Sequence, residues 1–399
     1  MPAVPSQHRS FDRADQRALR SVALQFFVNG ALFASFLPRL PEIRDRVGIS
    51  VAGIGLLMSL AGLASLAGSA VAGPAIARYG TRWVMLGAGT AVSLCLPLVG
   101  VATTPAVLLV GLVGMLTFDV LVDIAMNMQG SWLSARRHAP VMNRLHGLWS
   151  LGTVVGGLLS ARLAAAGVSL PAHLIVAAAV LFAVLLVVSR GVLRVDEHRQ
   201  PVGAPETGGG QRPRRRVGVL PLFLLAGLFA VAVESTSIEW SAFRFTDDFG
   251  DSAGSAALGY VAVTGGMTVG RFGGDWVAFR LGVRRLGHLA TLLAGVGLLA
   301  ASLSPNRIVS LVGFVVAGLG IATMLPVLYD DAAKHRGRPG AGLGALTAGL
   351  RAASLTVPFI VGSLAASSLP VGSAVALVTL PSVGGFALVR LQLEREQRR

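Results

Sequence analysis

Twelve long apolar segments constrain this chain of 399 residues more than any other feature. A helix needs about 20 apolar residues to cross the hydrocarbon core of a bilayer, and each segment reaches roughly that length. Charged residues make up only 13% of the chain, whereas soluble domains carry about 25%. One soluble core cannot bury so much apolar surface. The sequence therefore predicts a polytopic membrane protein.

The segments form two groups of six with a hydrophilic stretch between them. The predicted spans are 19–38, 51–76, 83–102, 105–130, 143–166 and 171–190 in the first group, and 218–243, 256–279, 285–303, 307–330, 342–367 and 370–390 in the second. The predicted domains are an N-terminal tail (1–18), a first bundle (19–190), a linker (191–217), a second bundle (218–391) and a C-terminal tail (392–399). The expected fold class is all-α, with twelve transmembrane helices in two six-helix halves.

Basic residues are distributed unevenly between the predicted loops. Most of the 34 lysines and arginines fall in the tails, the linker and every second loop, so the positive-inside rule places both tails and the linker in the cytoplasm. Lysine occurs once, at Lys334, and this arginine bias indicates a bacterial source and hence the inner membrane. The net charge of +15 matches attraction to anionic lipid head groups. We expect no nucleic-acid partner.

The chain lacks the motifs of ATP-driven pumps and of common hydrolases. We find no phosphate loop with its lysine and no His-Glu-x-x-His. The letters of Gly-x-Ser-x-Gly occur once, as GDSAG (250–254), but they lie between two predicted spans and not at the strand-to-helix turn that the hydrolase motif needs. A single cysteine, Cys95, excludes an internal disulfide and a multi-cysteine zinc site. We therefore expect no catalytic residues, no metal and no cofactor, and transport would draw on an ion gradient or on the substrate's own gradient. The oligomeric state stays open.

The stretch FDVLVDIAMNMQGSW in the fourth predicted span carries unusual polar residues. Asp119, Asp123 and Asn127 recur every four residues and so follow one helix face, and Gln129 comes close behind. An ionised carboxylate is costly at membrane depth, so such acids usually face a bundle interior and serve a function. We predict that Asp119 or Asp123 carries a proton, and that Asn127 and Gln129 contact substrate. The alternative is a structural pair between an acid and an arginine.

The seventh predicted span offers a second set of polar residues. Glu234 lies midway along it on one face with Ser237 and Ser241, and is a candidate for proton coupling. Glu239 and Trp240 are either substrate contacts or anchors at the outer end. Because the fourth and seventh spans belong to different halves, their acids are placed to meet at a site between the halves.

Further polar side chains interrupt the first, fifth and eleventh spans. Gln25 and Asn29 either bind a polar substrate or hold helices together. His146 can exchange a proton near neutral pH or make a structural hydrogen bond, and Trp149 stacks on a substrate or packs. Arg351 either binds an anion or neutralises a carboxylate.

Two halves of six spans with a cytoplasmic linker resemble the major facilitator superfamily of secondary transporters. Its cytoplasmic motif is similar to GPAIARYGTR after the second span and, more weakly, to DWVAFRLGVRR after the eighth, with Ala77 and Phe279 where the family has an acid. The resemblance implies gating candidates in both copies and in the span before the second. These are Gly73, Arg78, Gly80, Arg82, Arg271, Asp275, Arg280, Gly282 and Arg284. Arg271 and Asp275 are spaced for an intrahelical salt bridge.

Several segments resemble the branch that includes fucose permease and the YbjJ-type transporters. They are PRLPEIRD (38–45), LVDIAMNMQG (121–130), PVMNRLHGLWSLG (140–152), AVESTSIEWSA (232–242), GRFGGDW (270–276) and MLPVLY (324–329). Fucose permease uses a fourth-span acid for proton coupling, so the resemblance implies this role for Asp119 or Asp123.

Three functions remain compatible with the sequence. The first is a proton-coupled symporter that takes up a sugar or another small polar metabolite by alternating access. The second is a proton-antiport exporter of drugs or secondary metabolites, which the missing proline in GTVVGGLL (152–159) disfavours. The third is a membrane sensor that transports nothing and tolerates loss of its intramembrane acids.

Overall fold

The computed structural model describes residues 12–137, 141–193, 219–333 and 341–398. Regular structure in these ranges is helical. The helices are α1 (Arg13–Phe36), α2 (Leu40–Val47), α3 (Val51–Val101), α4 (Pro105–Arg137), α5 (Met142–Ala165), α6 (Leu170–Gly191), α7 (Leu220–Phe243), α8 (Ala253–Leu281), α9 (Val283–Leu303), α10 (Arg307–Ile321), α11 (Met324–Ala333), α12 (Ala341–Ala365) and α13 (Val371–Arg398). A 3-10 turn, Leu37–Arg39, follows α1, and a π turn, Arg244–Asp248, follows α7.

Helix α3 contains the second and third predicted spans. Its 51 residues would extend about 76 Å at about 1.5 Å per residue, more than twice the thickness of a hydrocarbon core. The helix breaks at Gly80, whose φ of 78° and ψ of 157° are not helical. Gly282 separates α8 from α9 with a φ of 83° and a ψ of 149°. The glycine of each motif copy thus turns the chain in the same backbone conformation, which favours glycine.

The predicted fold class is confirmed. Ten ranges in the described part of the chain have the length and hydropathy of membrane spans. Helix α3 is one of these ranges, and counting its two arms separately gives eleven spans. Helix α8 is the twelfth, since its 29 residues are long enough to cross a bilayer. Several helices are longer than predicted, most of all α1, which begins at Arg13, α4, which continues to Arg137, and α13, which continues to Arg398. Residues 1–11 of the predicted N-terminal tail (1–18) and residues 194–217 of the predicted linker (191–217) lie outside the described residues.

The helices pack as two groups that meet along two helix pairs. Helices α1 to α6 contact one another, as do α7 to α13, and the groups meet mainly where α5 lies against α8 and α3 against α12, with a smaller contact of α2 with α7. We call these groups the first and second halves. A Cβ atom at Gly55 would collide with the carbonyl of Pro358, and one at Gly254 with Ala165. Glycine therefore sets the close approach at both pairs.

The bundle has two ends, which we distinguish by the chain. The terminal face is the end at which α1 begins, and there Arg136 binds Asp15 at 2.6 Å. The opposite face is the other end. There Arg44 of the first half binds Asp247 of the second half through two hydrogen bonds of 2.5 and 3.0 Å, and its guanidinium lies 5.4 Å from the centre of the Phe243 ring.

A buried layer beneath this ion pair closes the opposite face. Phe36 and Leu37 of the first half and Trp240, Phe243 and Tyr260 of the second half belong to one hydrophobic cluster. Each of these five side chains is at least nine-tenths buried. We call these residues the sealing layer.

The other end of the interface is more open. The Asp123 side chain lies midway along α4 and is nevertheless exposed, and Tyr329 is 43% exposed. The space between the halves therefore opens toward the terminal face.

Substituting Asp247→Asn tests whether the cross-half ion pair keeps the opposite face closed. A partly exposed pair contributes up to about 1 kcal/mol, so the population open at this face should increase by up to roughly fivefold. Electron paramagnetic resonance would measure the distance between spin labels on cysteines at the exposed positions Arg46 and Ser252, in a Cys95→Ser background.

Asp45→Asn is the matched control. Asp45 also binds Arg44, at 2.7 Å, but within the first half, so its loss should leave the distance distribution unchanged. Equal shifts in both variants would show that the charge of Arg44, and not its contact across the interface, governs closure.

Candidate functional site

A cavity of about 260 Å³ lies between the two halves. Its walls come from α1 and α5 of the first half and from α7 and α8 of the second half. Four predicted site residues line it, namely Trp149, Glu234, Glu239 and Arg271. Aromatic groups from both halves therefore share this space with two acids of the seventh span, whereas the acids of the fourth span, predicted to meet them here, do not line the cavity.

Arg271 joins the halves across this cavity. Its Nη1 donates a hydrogen bond of 2.6 Å to the hydroxyl of Ser150 on α5, and its Nη2 lies 3.4 Å from Oε1 of Glu234 on α7. The guanidinium lies 5.4 Å from the centre of the Trp149 ring, within cation–π distance. The sequence predicts Asp275 as its partner, but the Asp275 side chain lies outside the described part.

Asp119 connects to the same arginine through two side chains. The Nδ2 of Asn29 donates a hydrogen bond of 2.6 Å to Oδ1 of Asp119, and the indole Nε1 of Trp149 donates one of 2.9 Å to Oδ1 of Asn29. An indole nitrogen only donates, so it holds the amide oxygen of Asn29 and turns the amide NH₂ toward Asp119. Asp119, Asn29, Trp149 and Arg271 thus form one continuous chain of contacts, which we call the polar chain.

Behind Asp119 lies a small cavity inside the first half. Its volume is about 30 Å³, and Gln25, Asn29 and Ser93 line it together with Asp119. Gln25 is 5% exposed, and its Oε1 accepts no hydrogen bond from the described residues. A space of this size holds one water molecule. Gln25 therefore faces the proton-site candidate and not the cavity between the halves.

A second arginine bridges the halves where α3 meets α12. Arg351 donates a hydrogen bond of 2.8 Å to the hydroxyl of Ser69 and lies close enough to Asp123 for their charges to interact. Asn127 donates to Oδ1 of Asp123 at 3.0 Å. Tyr329 of α11 is within electrostatic range of Asp123 and Arg351. Arg271 and Arg351 of the second half thus each bind a serine of the first half and face a carboxylate.

Two predicted substrate contacts, Gln129 and Trp240, do not line the inter-half cavity. Gln129 is fully buried and binds Thr81 at 2.8 Å and the backbone of Leu193 at 3.1 Å, once as donor and once as acceptor. It fastens helix ends within the first half, which corrects the prediction that it contacts substrate. Trp240 belongs to the sealing layer, with its ring 5.1 Å from that of Phe243.

Glu239 and His146 lie at the two ends of the cavity region. Glu239 lines the cavity one residue before Trp240 of the sealing layer. His146 lies one turn before Trp149, its ring meets that of Phe26 edge to face at 5.2 Å, and its imidazole is within electrostatic range of Arg271. Both stay candidates, Glu239 for substrate and His146 for the proton.

The gating candidates of the two motif copies collect at the terminal face. Three of their arginines lie over a neighbouring aromatic ring of their own half, and a fourth binds an acid of α13. The pairs are Arg78 with Tyr79 and Arg82 with Trp83 at 5.3 Å, Arg280 with Trp276 at 5.4 Å, and Arg284 with Glu394 at 2.7 Å. Gly73 is exposed, with open space where a Cβ would lie. The described contacts of these residues thus stay within one half.

Sequence reasoning missed several residues of the site. Ser69 and Ser150 are missed because serines in apolar helices commonly bind the preceding turn and give no signal of a distant partner. Tyr260 and Tyr329 have no polar neighbours at helical spacing that would distinguish them from packed aromatics. The one sequence signal for Tyr329 is its place at the end of the MLPVLY segment (324–329), which resembles the fucose-permease branch.

Residues 22–358 match the family model of the Major Facilitator Superfamily. The chain belongs to this superfamily. A curated relative, an uncharacterised MFS-type transporter of Yersinia pestis, is 29% identical over 349 residues, which is 86% of this chain and 86% of the relative. The chain is thus a multi-pass membrane transporter of the major facilitator type.

Solved structures share this fold. A variant of the nucleoside transporter NupG has a TM-score of 0.72 at 13% identity, over 95% of this chain and 99% of that structure. The transporter FucP in its outward conformation has a TM-score of 0.64 at 15% identity, over 96% and 99%. At these identities the likeness establishes the major facilitator fold alone.

Replacing Trp149→Phe tests the polar chain as a structural unit. The change removes the indole donor to Asn29 and leaves a buried acceptor unpaired, so we expect the free energy of unfolding to fall by about 1–3 kcal/mol. Thermal unfolding of the purified transporter in detergent measures the loss. Trp276→Phe is the control, since that side chain is 64% exposed. Equal stability losses in the two variants would contradict a specific role for the indole hydrogen bond.

Proposed function

We propose that this chain is a proton-coupled secondary transporter that moves a small polar molecule, with a sugar or similar metabolite favoured, across the bacterial cytoplasmic membrane. The polar chain is the observation that carries the proposal. It joins an intramembrane carboxylate, Asp119, to an arginine on the wall of the inter-half cavity. Proton binding and substrate binding therefore have a direct physical connection.

Asp119 is suited to exchange a proton. Its described hydrogen-bond partner is the neutral amide of Asn29, and Asp123 is the charged residue that acts on it. A carboxylate at the centre of a spanning helix costs about 2.5–3.5 kcal/mol on insertion scales. A proton removes that charge without a counter-ion. Glu234 and Asp123 each face an arginine and serve better as fixed members of ion pairs.

Protonation of Asp119 would act on the interface through Trp149. A neutral carboxyl attracts the Asn29 amide less than a carboxylate does, because charge-assisted hydrogen bonds are about twice as strong. The amide then holds the indole of Trp149 more loosely, and the indole supports Arg271 between α5 and α8. The proton thus changes the stability of one of the two helix pairs that join the halves, which shifts the balance between conformations.

The structure corresponds to an inward-facing state if the terminal face is cytoplasmic, as the basic loops indicate. The halves then rock about the inter-half cavity, which is the general mechanism of transporters built from repeats. The predicted cytoplasmic tails, the linker and the two bundles at 19–190 and 218–391 agree with this topology. The resemblance of several segments to fucose permease and the YbjJ-type branch supports uptake by symport.

The size and lining of the cavity support a small polar substrate. At about 260 Å³ it is slightly smaller than typical small-molecule sites, which span about 300–1,000 Å³. Glu234, Glu239 and Arg271 supply charge, and Trp149 supplies a flat face for a sugar ring or similar group. A drug-sized cation would need a larger space, so uptake of a metabolite is favoured over drug export.

Asp119→Asn should abolish substrate-evoked proton movement while counterflow exchange of labelled substrate continues. The amide is isosteric and cannot exchange a proton, so only the coupled movement needs the acid. The measurement is external pH around proteoliposomes without sodium, challenged with a panel of sugars and other small metabolites. Asp45→Asn, on the opposite face, is the control and should keep the wild-type response.

Unchanged proton movement in Asp119→Asn would overturn the role of Asp119, and Asp123→Asn measured in parallel would then identify the other carrier. Flux without proton movement in the wild type would show a uniporter. Wild-type protein that moves no member of the panel, and binds none, would favour the sensor function.

A further inference from the structure

Glu239 is a carboxylate without a partner on the wall of the cavity. Its Oε2 is inaccessible to water and accepts no hydrogen bond from the residues that the structure describes. The other acids nearby are satisfied differently. Glu234 faces Arg271 at 3.4 Å, Asp119 accepts from Asn29, and Asp123 accepts from Asn127. Glu239 is thus the acid on the cavity wall for which the described residues supply neither a cation nor a hydrogen-bond donor.

Arg271 cannot neutralise both acids of α7. Glu234 and Glu239 are five residues apart, which places them about 7.5 Å apart along the helix axis. The guanidinium is held at the Glu234 level by Ser150 at 2.6 Å and by the ring of Trp149. Glu239 therefore lies closer than Glu234 to the sealing layer and the opposite face, in a part of the cavity without a described cation.

The surroundings of Glu239 favour a cation as the missing partner. One oxygen of this carboxylate is excluded from water without a hydrogen bond, which is costly, and a positive charge with hydrogen-bond donors offsets that cost. Phe33, Trp149 and Tyr260 line the same cavity, and aromatic faces attract ammonium groups. A neutral hydroxyl could donate one hydrogen bond but would leave the charge in place.

We propose that Glu239 binds the ammonium group of the substrate, and that the substrate is a small, hydroxylated amine of about monosaccharide size. This inference rests on the proposed function and specifies its substrate class. The ammonium enters first, reaches Glu239 beneath the sealing layer, and is enclosed there by aromatic rings. The hydroxyls of the substrate remain toward Ser235 and Thr264, whose side chains also line the cavity.

The binding test uses pairs of probes that differ in the charged group. Purified protein in detergent is titrated with D-glucosamine and D-glucose, D-galactosamine and D-galactose, and ethanolamine and ethylene glycol. We expect at least one amine to bind at least about 30-fold more tightly than its hydroxyl partner, because an unpaired buried charge costs a factor of that order. Isothermal titration calorimetry measures both affinities.

Three variants separate recognition from folding. Glu239→Gln should remove the preference for the amine, and Glu239→Asp should keep it at lower affinity, since the charge persists on a shorter side chain. Glu396→Gln, near the end of α13, makes the same chemical change away from the cavity and should bind as wild type does. A monodisperse elution profile and the affinity of the aspartate variant show that loss of binding is not loss of fold.

Several outcomes would overturn the proposal. Neutral probes that bind as tightly as their amine partners, amine binding that survives Glu239→Gln, or no amine binding up to about 10 mM would each do so. If Glu239→Gln kept amine binding and lost proton movement, Glu239 would be a proton carrier instead. The proposed function fails separately, when wild-type proteoliposomes move no substrate and no protons, so the two failures are distinguishable.

Discussion

Arg271 is a cation in the middle of the bundle, and the interface between the halves is built around keeping it partnered. An isolated guanidinium at this depth is costly, so its ligands must be held in place. They come from both halves, with Ser150 and Trp149 on α5 and Glu234 on α7. A rigid-body movement of one half against the other must therefore break or replace these contacts. If substrate binds in the inter-half cavity and the proton binds at Asp119, as proposed, the group that stabilises this state also responds to both.

The second helix pair repeats this arrangement with different residues. Arg351 reaches from α12 to Ser69 on α3 at 2.8 Å and faces Asp123, as Arg271 reaches from α8 to Ser150. Both arginines belong to the second half and both serines to the first, so the two contacts are alike in chemistry but are not related by the repeat of the halves. The repeat itself shows at Gly80 and Gly282, whose backbone conformations nearly coincide. The acids near the two helix pairs, Asp123 and Asp119, differ in their exposure. Asp123 is exposed toward the terminal face, whereas Asp119 lies inside the first half beside its own small cavity.

The sequence predicts the helices well because length and hydropathy alone determine membrane spans. It predicts the residue types of the site but not their partners. Asn29 and Asp119 are 90 residues apart, and no local pattern reveals such contacts. Helix geometry also separates residues that look alike in the sequence. Asn127 and Gln129 differ by about 200° around α4, so one faces the interface and the other the core of the first half. Even the 40° between Asp119 and Asp123 turns one acid to α1 and the other to α12.

The charge balance of the cavity connects substrate and movement. Glu234 and Arg271 balance each other at the cavity, and Asp123 and Arg351 do so at the second helix pair, whereas no described cation faces Glu239. Closing the cavity on an uncompensated charge costs more than closing it on a neutral site, since water is removed from the carboxylate. A bound cation would lower this cost and so favour the occluded state over the open one. A ligand shifts a conformational equilibrium only by its difference in affinity between the states, and the unpaired carboxylate is where such a difference would arise. In the proposed mechanism, the acid that lacks a described partner in the empty transporter is thereby the one that makes movement depend on the substrate.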